Sequence, residues 1–145
     1  MYNGYMINYN ATALIGKIKD SANKLILSAL EREGVKGLSP SHGDILVHLY
    51  QTDGLSIREL TEKINRTQPT VTVLVDKLQK QGYIKKEKSQ TDGRATHIYL
   101  TKKGQQLKPL FYQISNELND AIYGDFNDLE KAQLEHLLGR ILERM

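Results

Sequence analysis

The chain has 145 residues, 39% of them hydrophobic and 26% charged, with a formal net charge of +3, which is the composition of one folded globular domain. It contains no cysteine, so disulfide bonds, thiolate metal sites, cysteine nucleophiles and thiol redox switches are excluded. It has no run of about 18 apolar residues and no basic stretch before an apolar segment, so we expect neither a membrane span nor a signal peptide, and we interpret the protein as cytoplasmic.

The first predicted element is an amphipathic helix over residues 12 to 32, because its apolar residues recur at three- and four-residue steps and share one face. Two glycines follow and end it. A second helix begins at Ser39 and Pro40, since serine caps a helix N-terminus and proline fits its first turn. This helix ends near Gly54.

The next two predicted helices are short and close together in the chain. Ser56 and Glu59 form a capping box ahead of a helix that ends around Asn65. Thr67 then caps a further helix, and Gly82 suits the left-handed conformation that terminates it. Two helices joined by so short a connection predict a helix-turn-helix.

Two strand-like segments follow, over residues 83 to 88 and 94 to 100. They are joined through Thr91, Asp92 and Gly93, and an Asp-Gly pair accepts the positive φ angles of tight hairpin turns. The pattern predicts a basic two-stranded ribbon.

Two more amphipathic helices are predicted in the C-terminal part. One opens at Thr101 and carries apolar residues at alternating four- and three-residue steps, and the other starts at a capping box of Asn127 and Glu130. Together with the first helix they offer more apolar surface than one small domain can cover. We therefore expect a homodimer in which residues 1–35 and 104–145 form the dimerisation region.

Positive charge is concentrated in the middle of the chain. Residues 1–55 have a net charge of 0, residues 56–104 have +6, and residues 105–145 have −3. A basic segment between neutral and acidic flanks favours an anionic partner, although charge alone also fits a solvated lysine-rich surface.

The order of elements over residues 39–103 is that of a winged helix-turn-helix. In such a unit one helix enters the major groove, the preceding helix braces it on the backbone, and a basic hairpin reaches phosphates or the minor groove. The predicted fold class is therefore mainly α (α+β), with long terminal helices and a two-stranded β wing.

Five short motifs follow one another in this part of the chain: SIREL (56–60), TQPTVTVLVDKL (67–78), GYI (82–84), TDGR (91–94) and YLTKKG (99–104). The ordered set resembles the MarR/SlyA family of transcriptional regulators, and the resemblance extends over roughly residues 12 to 144. It implies a homodimer with intertwined first and last helices that presents two recognition helices to a palindromic operator in double-stranded DNA. Repression, and release by a small-molecule ligand, are likewise implied by the resemblance.

Candidate DNA contacts lie on the fourth helix and on the hairpin. Hydroxyl and amide groups in the first turns of the helix can reach phosphates or base edges, a valine can touch a thymine methyl group, and a lysine can bind a phosphate. An arginine at the hairpin tip can enter a minor groove, with an aspartate to orient it. The recognition-helix candidates are Thr67, Gln68, Thr70, Thr72, Val73 and Lys77, and the wing candidates are Lys86, Lys88, Asp92 and Arg94.

An effector site is implied at the junction of the dimer helices and the winged part. The candidate lining residues are His42, Leu46, Phe111 and Tyr112, whose alternative role is plain core and interface packing. We expect a small aromatic or apolar acid as the effector.

Other classes of function have less support in the sequence. No two of the four histidines stand four residues apart on one helix, so we predict no metal site and no cofactor, with a metal-responsive regulator of the same fold as an alternative. A winged-helix module for protein contacts is a second alternative. An enzyme is not expected, because the chain lacks the nucleophile motifs and paired carboxylates that catalysis requires.

Overall fold

The computed structural model describes residues 6–91 and 93–145, so the predicted role of Asp92 lies outside the described residues. Within them the mainly α fold class is confirmed, and every helix is too short or too polar to span a bilayer. The elements are α1 (Ala11–Arg32), α2 (Pro40–Gln51), β1 (Leu55–Ser56), α3 (Ile57–Ile64), α4 (Gln68–Lys80), β2 (Ile84–Lys88), β3 (Thr96–Leu100), α5 (Lys102–Gln106), α6 (Lys108–Tyr123) and α7 (Asp128–Glu143).

The predicted caps of α3, α4 and α7 are formed. At α3 the Ser56 Oγ accepts a hydrogen bond from the Glu59 backbone N–H at 3.0 Å, and the Glu59 carboxylate accepts one from the Ser56 N–H at 3.1 Å. Asn127 and Glu130 make the same reciprocal pair at α7. The Thr67 side chain caps α4. Each cap satisfies N–H groups that have no partner inside the helix, which fixes where the helix begins.

The structure divides the helix predicted from Thr101 onward into α5 and α6. Pro109 has no N–H to donate to the carbonyl oxygen of Gln105, four residues earlier, so the helical hydrogen-bond pattern is interrupted there. Leu107, at the junction, keeps helical φ and ψ angles of −80° and −12°. Apolar periodicity does not reveal such a break, because the side-chain pattern runs on across it.

The sheet has three strands in the order β1–β3–β2, all antiparallel, where two were predicted. In β1, Leu55 pairs with Ile98. Two residues, the second of which is the helix cap Ser56 itself, are too few to show an alternating pattern, which is why this strand was not predicted. The wing also differs from the prediction, since its second strand begins at Thr96 and not at Arg94. Between the two strands, the Ser89 N–H donates a 2.9 Å hydrogen bond to the Ala95 carbonyl.

The buried core joins the helix-turn-helix, the sheet, the C-terminal end of α1 and α6. Its fully buried large side chains are Leu30, Ile45, Leu46, Leu49, Leu60, Val71, Val75, Leu78, Ile84 and Ile98. α7 contributes no buried residue. The N-terminal half of α1 is likewise exposed on its apolar face, with Leu14 48% and Ile18 55% exposed. The single chain therefore leaves two apolar helix faces in water.

Gly104 in α5 holds this helix against the sheet. A Cβ at Gly104 would stand 2.1 Å from the backbone oxygen of Tyr83, and the Gly104 carbonyl accepts a 2.7 Å hydrogen bond from the buried Tyr50 hydroxyl.

We expect Gly104→Ala to lower the free energy of unfolding, measured by denaturant titration, by about 3 kcal/mol, because a backbone atom cannot give way. Gly16→Ala, where nothing lies within 4 Å, is the control and should change it by less than about 1 kcal/mol. Equal stability of both variants would contradict the close approach.

Candidate nucleic-acid interface

α4 presents one buried and one exposed face, as expected of a recognition helix. Val71, Val75 and Leu78 are fully buried. The candidate contacts lie away from this face: Thr67, Gln68, Thr70, Val73 and Lys77 are exposed, and Thr72 is half-buried. The Thr67 cap orients the first turn, because the Thr67 side chain accepts the Thr70 N–H at 3.4 Å.

Lys77 lies on the side of α4 that faces the loop before α2. Its Nζ is 3.9 Å from the position that a Cβ on Gly37 would occupy, and its charge is close enough to His42 to affect the titration of that imidazole. The structure therefore places Lys77 apart from the first-turn candidates, toward one end of the exposed face.

A cleft of about 560 Å³ lies between α3, the first residue of α4 and the wing. Arg58 from α3, Gln68 from α4 and Arg94 from the wing line it together. Arg58 is 89% exposed and makes only a loose 3.6 Å ion pair with Glu62. Two guanidinium groups at one open cleft suit the phosphates of a nucleic-acid backbone.

Arg58 was not among the candidates predicted from sequence. It stands in the first turn of α3, 36 residues before Arg94 in the chain, and only the folding of the wing against α3 brings the two together. Arg58 is included in the net charge counted over residues 56–104. The sequence therefore indicated a basic region but did not show that Arg58 would line its cleft.

The two candidate wing lysines have different surroundings. Lys86 in β2 donates to the carboxylate of Asp76 in α4, and 29% of the Lys86 side chain is exposed. Lys88, at the end of the same strand, is exposed. Lys86 therefore ties the wing to α4, whereas Lys88 is directed to solvent.

The candidate effector residues have different surroundings. Phe111 lines a pocket of about 180 Å³ between α1, α2 and α6, whose polar lining residues are Asp44, His48 and Ser115. Leu46 lies in the core and Tyr112 is 46% exposed.

His42, the remaining effector candidate, is buried and caps α2. Its Nδ1 accepts the Ser39 N–H at 2.9 Å and lies 2.8 Å from the Ser39 hydroxyl. Accepting the N–H requires an unprotonated Nδ1, so this hydrogen bond is made by the neutral ring. Burial, and secondarily the charge of Lys77, lower the pKa of His42 below its usual 6.5.

Stability should therefore fall in mild acid. The unfolded chain binds a proton at His42 near pH 6.5, whereas the folded chain resists it, so the free energy of unfolding decreases as the pH falls from about 7 toward 5. His42→Gln keeps an acceptor at this capping position and does not titrate, so we expect a flatter dependence of unfolding free energy on pH. His136→Gln, an exposed change in α7, should keep the wild-type slope. The same slope in the His42→Gln protein would contradict this account.

Within residues 6–91 and 93–145, no three His, Asp or Glu side chains lie close enough together to hold a metal ion.

Comparison with known proteins agrees with this geometry. The sequence profile of the MarR family matches residues 36–95, from the loop before α2 to the wing. The HTH-type transcriptional repressor YetL of Bacillus subtilis (strain 168) is 30% identical over 112 residues, which are 76% of this chain and 67% of YetL. This chain belongs to the MarR family. It is a transcriptional regulator with a DNA-binding winged helix, and not an enzyme.

Solved structures of MarR-family proteins show the same fold. The MarR protein from Peptoclostridium difficile superimposes with a TM-score of 0.83 at 20% identity, over 99% of this chain and 91% of that one. BpsR of Bordetella bronchiseptica has a TM-score of 0.78 at 15% identity, over 91% of this chain and 98% of BpsR. The DNA binding of BpsR is regulated by 6-hydroxynicotinic acid.

Proposed function

We propose that this MarR-family protein is a cytoplasmic, homodimeric repressor that binds a palindromic operator and is released from it by a small molecule. The observation that carries the proposal is the exposed face of α4 beside the cleft that holds Arg58 and Arg94. An exposed helix face with neutral and apolar side chains, beside two guanidinium groups, suits a major groove and a phosphate backbone at its edge.

The DNA contacts follow from this placement. Thr67, Gln68, Thr70, Thr72 and Val73 approach base edges and the nearest phosphates, and Lys77 approaches a phosphate beyond them. On the other side of α4, Arg94 enters the adjacent minor groove or binds a backbone phosphate together with Arg58. Asp92, by its position in the sequence, orients Arg94.

Lys86 and Lys88 provide a comparison within the wing. Lys88→Ala should lower the slope of log affinity against log salt by about 0.9 for each phosphate it contacts. Lys86→Ala should lower it by less, because Asp76 already balances the Lys86 charge in the free protein. Titration of a labelled operator at several salt concentrations measures both slopes. Equal losses would show that Lys86 leaves Asp76 for a phosphate.

The dimer is supported by the apolar surface that one chain leaves uncovered. Residues 1–35 and 104–145 contain the exposed faces of α1 and α7, and Leu129, Leu137 and Leu142 in α7 are 67%, 52% and 72% exposed. An apolar groove of about 370 Å³ continues these faces between α1, α6 and α7. A second copy of the chain would cover them and would place a second recognition helix on the same side, as a palindromic operator requires.

The effector is proposed to act from the pocket between α1, α2 and α6. This pocket contacts both the dimerisation helices and α2 of the winged part, so a ligand there can change the separation of the recognition helices. A small aromatic or apolar acid fits the apolar wall and the His48 side chain, and the regulation of BpsR by 6-hydroxynicotinic acid supports this class. Asp44 lies at the same pocket, and burial raises the pKa of its carboxyl group. In its charged form Asp44 would favour a cationic ligand, so the test includes both anionic and cationic compounds.

The proposal is tested by selecting bound sequences from random duplex DNA. We expect an inverted repeat whose half-sites are centred about 10 to 10.5 base pairs apart, or a multiple of this spacing. Release of the selected duplex is then measured with 6-hydroxynicotinic acid, benzoate and benzylamine. Recovery of no preferred sequence would contradict operator binding, and would favour a winged-helix module for protein contacts.

A further inference from the structure

The middle of the exposed α4 face carries an apolar side chain that the fold does not need. Val73 is 68% exposed and points away from the buried Val71 and Val75. It forms a shallow apolar surface with Pro69, Thr70 and Leu74. Val73 therefore offers apolar surface to a partner, on the helix whose first residue lines the cleft with Arg58 and Arg94.

Thr70 adds to the apolar character of this surface. The Thr70 Oγ1 lies 2.9 Å from the Thr67 Oγ1, so each hydroxyl is the hydrogen-bond partner of the other within the cap of α4. The Thr70 hydroxyl keeps further hydrogen-bonding capacity, and the Thr70 methyl group adds to the apolar surface that Val73 provides. Val73 and Thr70 lie three residues apart on one face of the helix, and their methyl groups form one patch.

Positive charge lies at the start of this helix and after the patch. Arg58 and Arg94 line the cleft with Gln68, the first residue of α4, and Lys77 is exposed one turn after Val73. Asp76, the nearest acid along α4, is paired with Lys86. A ligand that carries negative charge beside an apolar surface suits this arrangement. A DNA major groove has this character where thymine 5-methyl groups project between two phosphate backbones.

The same face has no basic side chain in its first two turns. Guanine is most often recognised in the major groove by a bidentate Arg or Lys, and α4 carries neither between Gln68 and Asp76. Direct recognition of G·C pairs at the centre of the helix therefore lacks its usual donor.

We infer that α4 reads A·T pairs at the centre of each half-site by packing the Val73 and Thr70 methyl groups against thymine 5-methyl groups. This inference rests on the proposed operator binding and adds the chemistry of the base readout. Val73 is the specificity-determining residue, and Thr70 supports it.

The test removes one methyl group at a time from the DNA. Each thymine of the selected operator is replaced by uracil, which pairs identically and lacks only the 5-methyl group. At one or two central positions of each half-site we expect about fourfold weaker binding per half-site, the effect of losing one buried methyl group. Val73→Ala should weaken binding to the thymine operator and should abolish most of the uracil effect, because the contact is then already lost.

The controls separate the inference from the function on which it rests. Gln79→Ala, an exposed change off this face of α4, should leave the uracil effect at its wild-type size. Wild-type protein that binds all uracil duplexes as tightly as the thymine operator would overturn the inference while leaving operator binding intact. A selected half-site without central A·T pairs, or a uracil effect undiminished in the Val73→Ala protein, would also overturn it. If the selection from random duplex DNA yields no preferred sequence, that result would instead contradict the proposed function.

Discussion

Replacing Leu137 with glutamate is expected to turn the dimer into a monomer and to weaken operator binding at least about 100-fold. Leu137 is 52% exposed on the apolar face of α7, where a partner chain would bury it, and a buried carboxylate without a partner opposes association strongly. A monomer holds one half-site only and loses the gain from binding two sites at once. The molar mass measured by sedimentation equilibrium at micromolar concentration should fall from about twice the chain mass of 16.5 kDa to that mass.

The matched control is His136→Glu, which adds the same charge at the neighbouring position. His136 is exposed and points about 100° away from Leu137 around the helix, so this variant should remain a dimer with wild-type affinity. Far-ultraviolet circular dichroism should show that both variants keep their helices. A dimeric Leu137→Glu protein would exclude α7 as the contact.

Replacing Arg94 with alanine is expected to weaken operator binding about tenfold or more. Arg94 lines the cleft together with Arg58 of α3. If Arg94 binds a phosphate, the slope of log affinity against log salt should drop by about 0.9 for each of the two subunits. If it enters the minor groove, the main change should be weaker preference for A·T-rich flanks, because a narrow groove attracts the guanidinium.

Two further variants define this effect. Arg58→Ala should reproduce the phosphate part of the loss, since both guanidinium groups face one cleft. Arg140→Ala, an exposed change in α7, removes the same charge far along the chain from the wing and should leave the slope unchanged. Wild-type affinity and slope in the Arg94→Ala protein would remove the wing from the mechanism.

The sequence by itself determined the elements whose signals are local. The caps at Ser56, Thr67 and Asn127 are hydrogen bonds over three residues, so the residue types alone place them. The same holds for the helix faces, because periodicity assigns buried and exposed sides without knowledge of the partner. The order of these elements, with charge concentrated between residues 56 and 104, was enough to identify a winged helix-turn-helix.

Only the tertiary structure decided which distant side chains meet. Arg58 joins Arg94 because the wing folds against α3, and Lys86 faces Asp76 because β2 lies beside α4. β1 exists only through its pairing with β3. A hydrophobic pattern shows that a face must be covered without showing by what, because apolar burial is not directional. For that reason Phe111 lines a pocket while Leu46, equally apolar in the sequence, fills the core.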